Sequence, residues 1–571
     1  MKRLMLLIGF CICSLLRAQS EEEAAAILGL LGIMSVEDAS EDQIQHFMHL
    51  LRHPVDINSE GRSGLESSGL FTPYQLVSLS DYMSRHGKVF SFGELASVDG
   101  FTWRHVEFLR PFLTFGYDAG MGAGASPMYF KGEADLKSAL KIREEDSYEW
   151  NYGVRMRCSV GAVIEAALSA FRPYDSPSES PSLYSAGASW THKYGKVVLG
   201  DFNARFGQGL CLWNTVMFSS LASPSSFMKK PAGISLSHSH TGTYAMTGLA
   251  ADLTFGKWKF SAMAALPEIK RRPGVFSVIQ PAVNVARYLR FGHVSMTHTM
   301  GISEIFSRDY RIPDMKTSAD ASFCFRGVNL FSEVLYDWVD ASVSFVAGTE
   351  ASVGEALAVA SLVRYLPLSH EHGAAFSGEF RKGRHETLFS IDLKHDTRGE
   401  RYEGYRIQVK PQCKWTWRMT DFLCMVLRMT GRLRTWSVPV KADLRADVRY
   451  DSGPWMACLR LNVSRGNGTG LLGYAEAGCK ALKNMKLYVR QGFFRIDDWE
   501  DRIYAYERDA PGSFNVPAFY GRGLWTSLYA AAGFAEWGSL YLRASYVGYP
   551  FMREKKKSGK AELKLQFALH F

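Results

Sequence analysis

The final eleven residues, Ala561 to Phe571, constrain this chain more than any other segment. Leu563, Leu565, Phe567, Leu569 and Phe571 alternate with Lys564, Gln566, Ala568 and His570. That is a strand of period two with one apolar and one polar face. The pattern recurs upstream. Ala442, Leu444, Ala446, Val448 and Tyr450 alternate with Lys441, Asp443, Arg445, Asp447 and Arg449, and the turn Asp451 to Pro454 follows. Trp455, Ala457, Leu459, Leu461 and Val463 then share one face of the next strand, opposite Arg460, Asn462 and Ser464. Leu540, Leu542, Ala544 and Tyr546 alternate with Tyr541, Arg543 and Ser545. Charged residues at every second position cannot sit in a dry core, so one face must meet water and the other lipid.

The amino terminus agrees with export. Met1-Lys2-Arg3 is basic, Leu4 to Leu16 is apolar, and Arg17-Ala18-Gln19-Ser20 follows, which predicts a signal peptide over 1–18 cleaved after Ala18. The apolar run is shorter than the ~20 residues that a spanning helix needs. Phe10 before Cys11 and Ile12 before Cys13 argue against a lipoprotein. After Ala18 no uninterrupted apolar segment of spanning length occurs, and aromatic residues make up 13% of the chain. An exported chain without spanning helices enters a membrane only as a closed barrel. The expected fold class is a small helical module followed by a large antiparallel transmembrane β-barrel of about 18–24 strands. The last strand resembles the closing strand of bacterial outer-membrane β-barrels, and the resemblance makes Phe571 part of a membrane insertion signal. The cysteines beyond Cys13 are scattered and contain no CxxC pair, so they read as small apolar strand residues rather than a disulfide or metal framework.

Charge divides where the pattern changes, near Phe115. Residues 19–115 carry 14 acidic side chains against six Lys and Arg, a net charge of −8. Residues 116–571 carry 57 Lys and Arg against 43 acidic side chains, a net charge of +14. The division predicts a basic barrel surface or lumen and an acidic module. An even number of strands puts both barrel ends on the periplasmic side, where the module would hang.

The module opens with one or two amphipathic helices over Glu22 to Leu51, then Val55-Asp56-Ile57-Asn58-Ser59. Two weakly similar units follow. The first turns at Gly69-Leu70-Phe71-Thr72 and runs into a helix through Leu76, Leu79 and Tyr82; the second turns at Gly100-Phe101-Thr102 and continues through Val106, Leu109 and Phe112. His86 to Leu95 connects them. Over about 60 residues this spacing resembles the tandem helix-hairpin-helix domain of the competence protein ComEA. There a Gly-x-Gly hairpin points backbone N–H groups at a DNA phosphate. In this sequence Phe71 and Thr102 replace the second glycine. Thr72 with Pro73, and Thr102, read as helix caps that would take those N–H groups. Neither hairpin contains Lys or Arg, although DNA affinity depends on basic contacts. The favoured role is docking of a periplasmic or outer-membrane protein partner, and DNA binding is the alternative.

Two later segments break the alternation. Gly200 to Trp213 ends Gly-rich and leads into a long stretch to Ser239. Phe206, Gly207, Gln208, Gly209 and Trp213 are its candidate plug or constriction residues, with a plain extracellular loop as the other reading. Arg495 to Gly523 is the second. Together these segments resemble an uncharacterised family of Bacteroidetes-type bacteria that joins a helix-hairpin-helix module to an outer-membrane barrel. The resemblance implies an architecture and brings no activity. Ser237-His238-Ser239-His240 and His370-Glu371-His372 lack the helix context and third ligand of a zinc site. Asp497, Asp498, Glu500 and Asp501 lack EF-hand spacing. No GxSxG elbow or Walker loop occurs. No catalytic residue, metal site or cofactor is therefore expected. The expected partners are outer-membrane lipid and a protein, and the expected function is a channel or scaffold, with a DNA-uptake port as the alternative.

Overall fold

A computed structural model describes residues 27, 29–38, 41–116, 130–143, 147–161, 163–214, 221–239, 244–267, 278–303, 311–396, 406–436, 440–482, 484–535, 537–551 and 559–571. The expected signal peptide and His240 lie outside the described residues. The alternating segments form one closed antiparallel barrel of 24 strands. It closes between the first strand, Phe130–Arg143, and the last, Lys560–His570. At the seam Phe571 N donates to Gly132 O at 2.9 Å. The Phe571 ring packs 5.8 Å from that of Phe130, and it occupies the space that a side chain on Gly132 would need.

The pleat sorts each strand as the alternation demands. On Val440–Asp451, Leu444, Val448 and Tyr450 are exposed outward while Asp447 is fully buried inward. On Trp455–Arg465, Trp455, Leu459 and Leu461 face out while Met456, Cys458 and Arg460 are buried. On the last strand Leu563 and Leu565 face out and Gln566 faces in. An apolar exterior this continuous would be costly in water and is matched to lipid. Aromatic girdles mark both edges of the belt. Trp258, Phe325, Phe422, Trp455, Trp537 and Phe571 are exposed at one rim, and Tyr148, Trp150, Tyr184, Trp338 and Tyr546 at the other.

The two rims differ in their connections. At the rim that holds Phe571 the strands are joined by short turns such as Arg326–Gly327, whose φ values of 50° and 79° give a tight hairpin. At the opposite rim the connections lengthen, above all over 206–245 and 497–520.

The amino-terminal module contains α1 (Glu41–Arg52), α2 (Arg62–Ser67), α3 (Pro73–His86), α4 (Phe92–Leu95) and α5 (Trp103–Leu109). It has its own core, in which Ile57, Leu70, Phe71, Leu79, Val89, Leu95 and Phe112 are buried. A parallel pair, Val55–Asp56 with Leu113–Thr114, brings its ends together. Asn58 latches it: Nδ2 donates to Val89 O at 2.7 Å and to Phe115 O at 2.8 Å, and Oδ1 accepts from Val89 N at 3.0 Å. The module does not hang below the barrel. It is seated inside the short-turn mouth, packed against lumen-facing side chains of the wall.

Candidate functional site: a filled lumen

Three segments fill the barrel, and each is held by charge. The module supplies the first. Its 3-10 turn Val36–Asp38 reaches the middle of the wall, where Glu37 pairs with Arg445 at 3.1 Å and Arg460 at 2.8 Å, and Asp38 pairs with Arg428 at 2.7 Å. Nearer the short-turn rim, Glu66 of α2 and Asp252 of the wall share the ammonium of Lys259, each at 3.0 Å. Arg104 pairs with Glu379, and Arg381 reaches Glu107 at 3.4 Å. The Arg62 guanidinium lies 4.3 Å from the Tyr288 ring centre. Glu37, Asp38, Glu66 and Glu107 of the acidic module are thus paired with basic residues of the barrel interior.

Burial pushes the Glu37 carboxyl up, but the guanidinium groups of Arg445 and Arg460 outweigh it and hold Glu37 well below the usual carboxylate range. Buried histidines shift the other way. Burial, with Arg205 nearby, lowers His46 to about 4, and burial beside Lys230 and Arg104 lowers His105 to about 4. Burial and the neighbouring Arg157 lower His238 to about 3.

The second segment leaves the wall stepwise: pairing with Leu183–His192 ends at Gly200, whose φ is 95°, and pairing with Met246–Phe255 ends at Phe202. Phe202–Arg205 then pairs with Gly233–Leu236 in the interior, where Ile234 N donates to Asp252 Oδ2 at 3.3 Å. The stretch between them includes the candidate plug residues. Phe206 and Gln208 are buried. Gly207 and Gly209 take φ values of 58° and 86°, which turn successive N–H groups to one side. Gln208 N and Leu210 N donate to Glu333 Oε2 at 2.7 and 3.0 Å, and Cys211 N donates to Oε1 at 3.3 Å. This backbone nest around a wall carboxylate anchors the segment inside the lumen. Trp213 stacks 4.7 Å from the Lys229 ammonium. Burial lowers the Lys229 ammonium to about 7. Ser223 N donates to Gly32 O at 2.8 Å, joining this segment to the module.

The third segment, 497–520, folds inward beside the first two. Arg508 pairs with Glu476 at 2.8 Å, Lys564 with Asp509 at 2.9 Å, and Arg543 with Glu507 at 3.3 Å. Tyr506 N donates to Glu37 Oε1 at 3.2 Å, so this segment also touches the module.

The hairpin residues are not brought to a common surface. Leu70, Phe71, Thr72 and Phe101 are buried. Thr72 closes a capping box: its Oγ1 accepts from Gln75 N at 3.2 Å, and Thr72 N donates to Gln75 Oε1 at 2.9 Å. Thr102 Oγ1 accepts from His105 N at 3.3 Å. Each cap thus takes one of the helix-start donors that a phosphate would use, Gln75 N in the first unit and His105 N in the second. Gly69 and Gly100 have φ values of 66° and 86°, as the tight turns require, and the Gly100 backbone is pressed against the Tyr74 ring.

Of the two histidine motifs, His370 and His372 stay at the long-loop rim, with His372 stacked 4.4 Å from Tyr365. His238 is carried inward to 5.0 Å from His49 of α1. Glu37, Glu66, Glu333 and Glu507 were not singled out by sequence. Each has a partner far along the chain, so no local pattern marks it.

Among the described residues, two of the cavities left in the filled interior lie on the same stretch of wall. One, of about 820 Å³, lies between the module and the strands from Glu371–Lys382 to Met485–Ile496, and basic residues outnumber acidic ones among those lining it. The other, of about 500 Å³ at the long-loop end, is lined by Lys394, Asp396, Arg406, Gln408, Arg434 and Trp436.

Fold and interior together define a plugged transmembrane β-barrel of the outer-membrane type. No family profile matches the chain, and no curated protein matches it. Several solved barrels align with much of it. The siderophore receptor PirA from Pseudomonas aeruginosa is 7% identical, over 78% of this chain and 81% of that one, with a TM-score of 0.40. The P pilus usher (PapC) translocation pore is 7% identical, over 77% and 99%, with a TM-score of 0.38. OccK11 (OpdR) from Pseudomonas aeruginosa is 10% identical, over 77% and 96%, with a TM-score of 0.29.

Proposed function

We propose that this protein is an outer-membrane conduit for anionic solutes, held closed by its own amino-terminal module. One observation carries the reading. Lys414, Arg428 and Arg445 stand directly opposite one another on three adjacent strands. Like charges in register destabilise a sheet unless a counter-charge is supplied. Here Asp38 and Glu37 of the module supply part of it, at 2.7 Å from Arg428 and 3.1 Å from Arg445, alongside Asp447 of the wall at 2.8 Å from Arg445. The acidic turn occupies the place that an anionic solute would take. With the module displaced, the basic row, which lines the larger cavity, is left open to the lumen as an anion-selective surface.

The short-turn rim, with the module in its mouth, faces the periplasm, since short turns lie on that side in such barrels. The module then presents Phe90 and Trp103, both exposed, to a periplasmic protein that could draw it aside. That is the docking role expected from the sequence, moved from the acidic surface to an aromatic one. No catalytic role is assigned. DNA as the transported anion is the second reading; the basic row favours it, and the capped, buried hairpins argue against their contacting it in the closed state.

The test is ion selectivity. In planar bilayers under a KCl gradient, the barrel lacking residues 19–115 should give a reversal potential for anion preference, reduced in K414Q/R428Q. Cation preference, or no effect of the two substitutions, would sink the proposal. Salt-dependent block of the open pore by duplex DNA would favour the second reading.

A further inference from the structure

We propose that His49, His53 and Glu133 form a binding site for a divalent transition-metal ion of the zinc class, placed where the module meets the closing seam of the barrel. His53 N donates to His49 O at 3.0 Å, so the helical turn of α1 continues through His53. The two imidazoles therefore share one helix face, with ring centres 4.8 Å apart. Glu133 comes from the first barrel strand, and its Oε1 is in contact with His53 Nε2. One ligand atom from each of the three residues lies within 4.8 Å of the others. Tetrahedral zinc with bonds of about 2.0–2.1 Å needs ligand atoms roughly 3.3 Å apart, a closure within reach of side-chain torsions. His570 of the last strand stands directly opposite Glu133 in register, with Nδ1 3.6 Å from Glu133 Oε1, and is placed to complete the set. Two imidazoles and a carboxylate, with a third imidazole beside them, make a donor set suited to zinc, nickel or copper.

One neighbour opposes the ion. The Arg157 guanidinium lies against the His49 ring while paired with Glu165. His238, on the other side of His49, is 3.5 Å from Glu165. Metal binding requires Arg157 to leave His49 and stay with Glu165. Removing its charge should therefore tighten the site, an effect opposite to that of removing a ligand. A bound ion would tie the module, the first strand and the last strand together.

The experiment uses the full chain, purified in detergent, stripped with a chelator, titrated with Zn²⁺ and desalted. About one Zn²⁺ per chain should be retained by the wild type. H53A and E133Q should weaken binding at least tenfold, and R157Q should tighten it several-fold. H370A/H372A should bind like the wild type. Unchanged heat-modifiable gel migration establishes that each variant still folds, and His53, partly open to solvent, is the substitution least able to disturb packing. Failure of the wild type to retain Zn²⁺, or equal retention by H53A and E133Q, would overturn the site.

Discussion

The wall of this barrel and the material inside it are held by different physics. The wall is stabilised by neighbours: each strand pairs with the next, and each outward side chain meets lipid whatever its partners. The interior is stabilised by distant partners. Glu37 meets Arg445 and Arg460, and Glu333 anchors the backbone of Gln208. A wall of this kind tolerates substitution as long as the alternation survives. The interior depends on individual charges, because a buried ion that loses its partner is left uncompensated.

Substitutions separate the two regions, and the interior should give the largest effect. Glu37→Gln takes the module's carboxylate from Arg445 and Arg460, which lie on adjacent strands and keep Asp447 at 2.8 and 2.6 Å, and module docking should weaken by about 1.5–3 kcal/mol. Hydrogen exchange of α1 and α2 would report it, while barrel amides stay protected. Second is a close-packed wall position at the closing seam. Gly132→Val would drive a side chain into the Phe571 ring. Overpacking of this kind costs about 1–3 kcal/mol. A lower melting step in heat-modifiable migration, with the module still docked, would confirm that the seam is a wall feature.

Acidification gives the third effect. His46, His105 and His238 have folded-state values of about 4, 4 and 3, below the ordinary 6.5. Their contribution to docking is complete above pH 6.5 and is lost as the pH falls toward 4 (toward 3 for His238), at roughly 1.5–2 kcal/mol per histidine by pH 5.5–5. Glu37 works in the same direction but only at lower pH, since its carboxyl is held well below the usual range. Exchange of module amides should therefore rise between pH 7 and 5 without change in the wall. The smallest effect belongs to Asp81, which pairs with Arg85 at 2.7 Å on the exposed face of α3. Asp81→Asn should change stability by less than about 0.5 kcal/mol in urea titration.

The same contrast explains what could be read from the sequence. The strands around Leu444 and Leu459 were legible because period-two alternation is local and lipid enforces it on every strand. The capping roles of Thr72 and Thr102 were legible because a cap and the helix it starts are adjacent. The charge split announced an attraction between module and barrel but not its geometry, and an even strand count suggested a module hanging outside. Seating it inside depends on Glu37, Asp38 and Glu66 finding Arg445, Arg428 and Lys259, pairs that carry no sequence signature. Phe206 to Gly209 could be marked as an inward segment by glycine content, whereas its anchor, Glu333, looks like any lumen-facing acid.

The most direct test of the account is single-channel conductance of the full chain against the same chain lacking residues 19–115. The filled lumen predicts a full-length protein that is closed or passes only small currents, and a deleted protein whose conductance is clearly larger, with the two inward segments still in place. Equal conductance of the two, with both barrels folded, would mean that the module does not close the pore and would contradict the central claim.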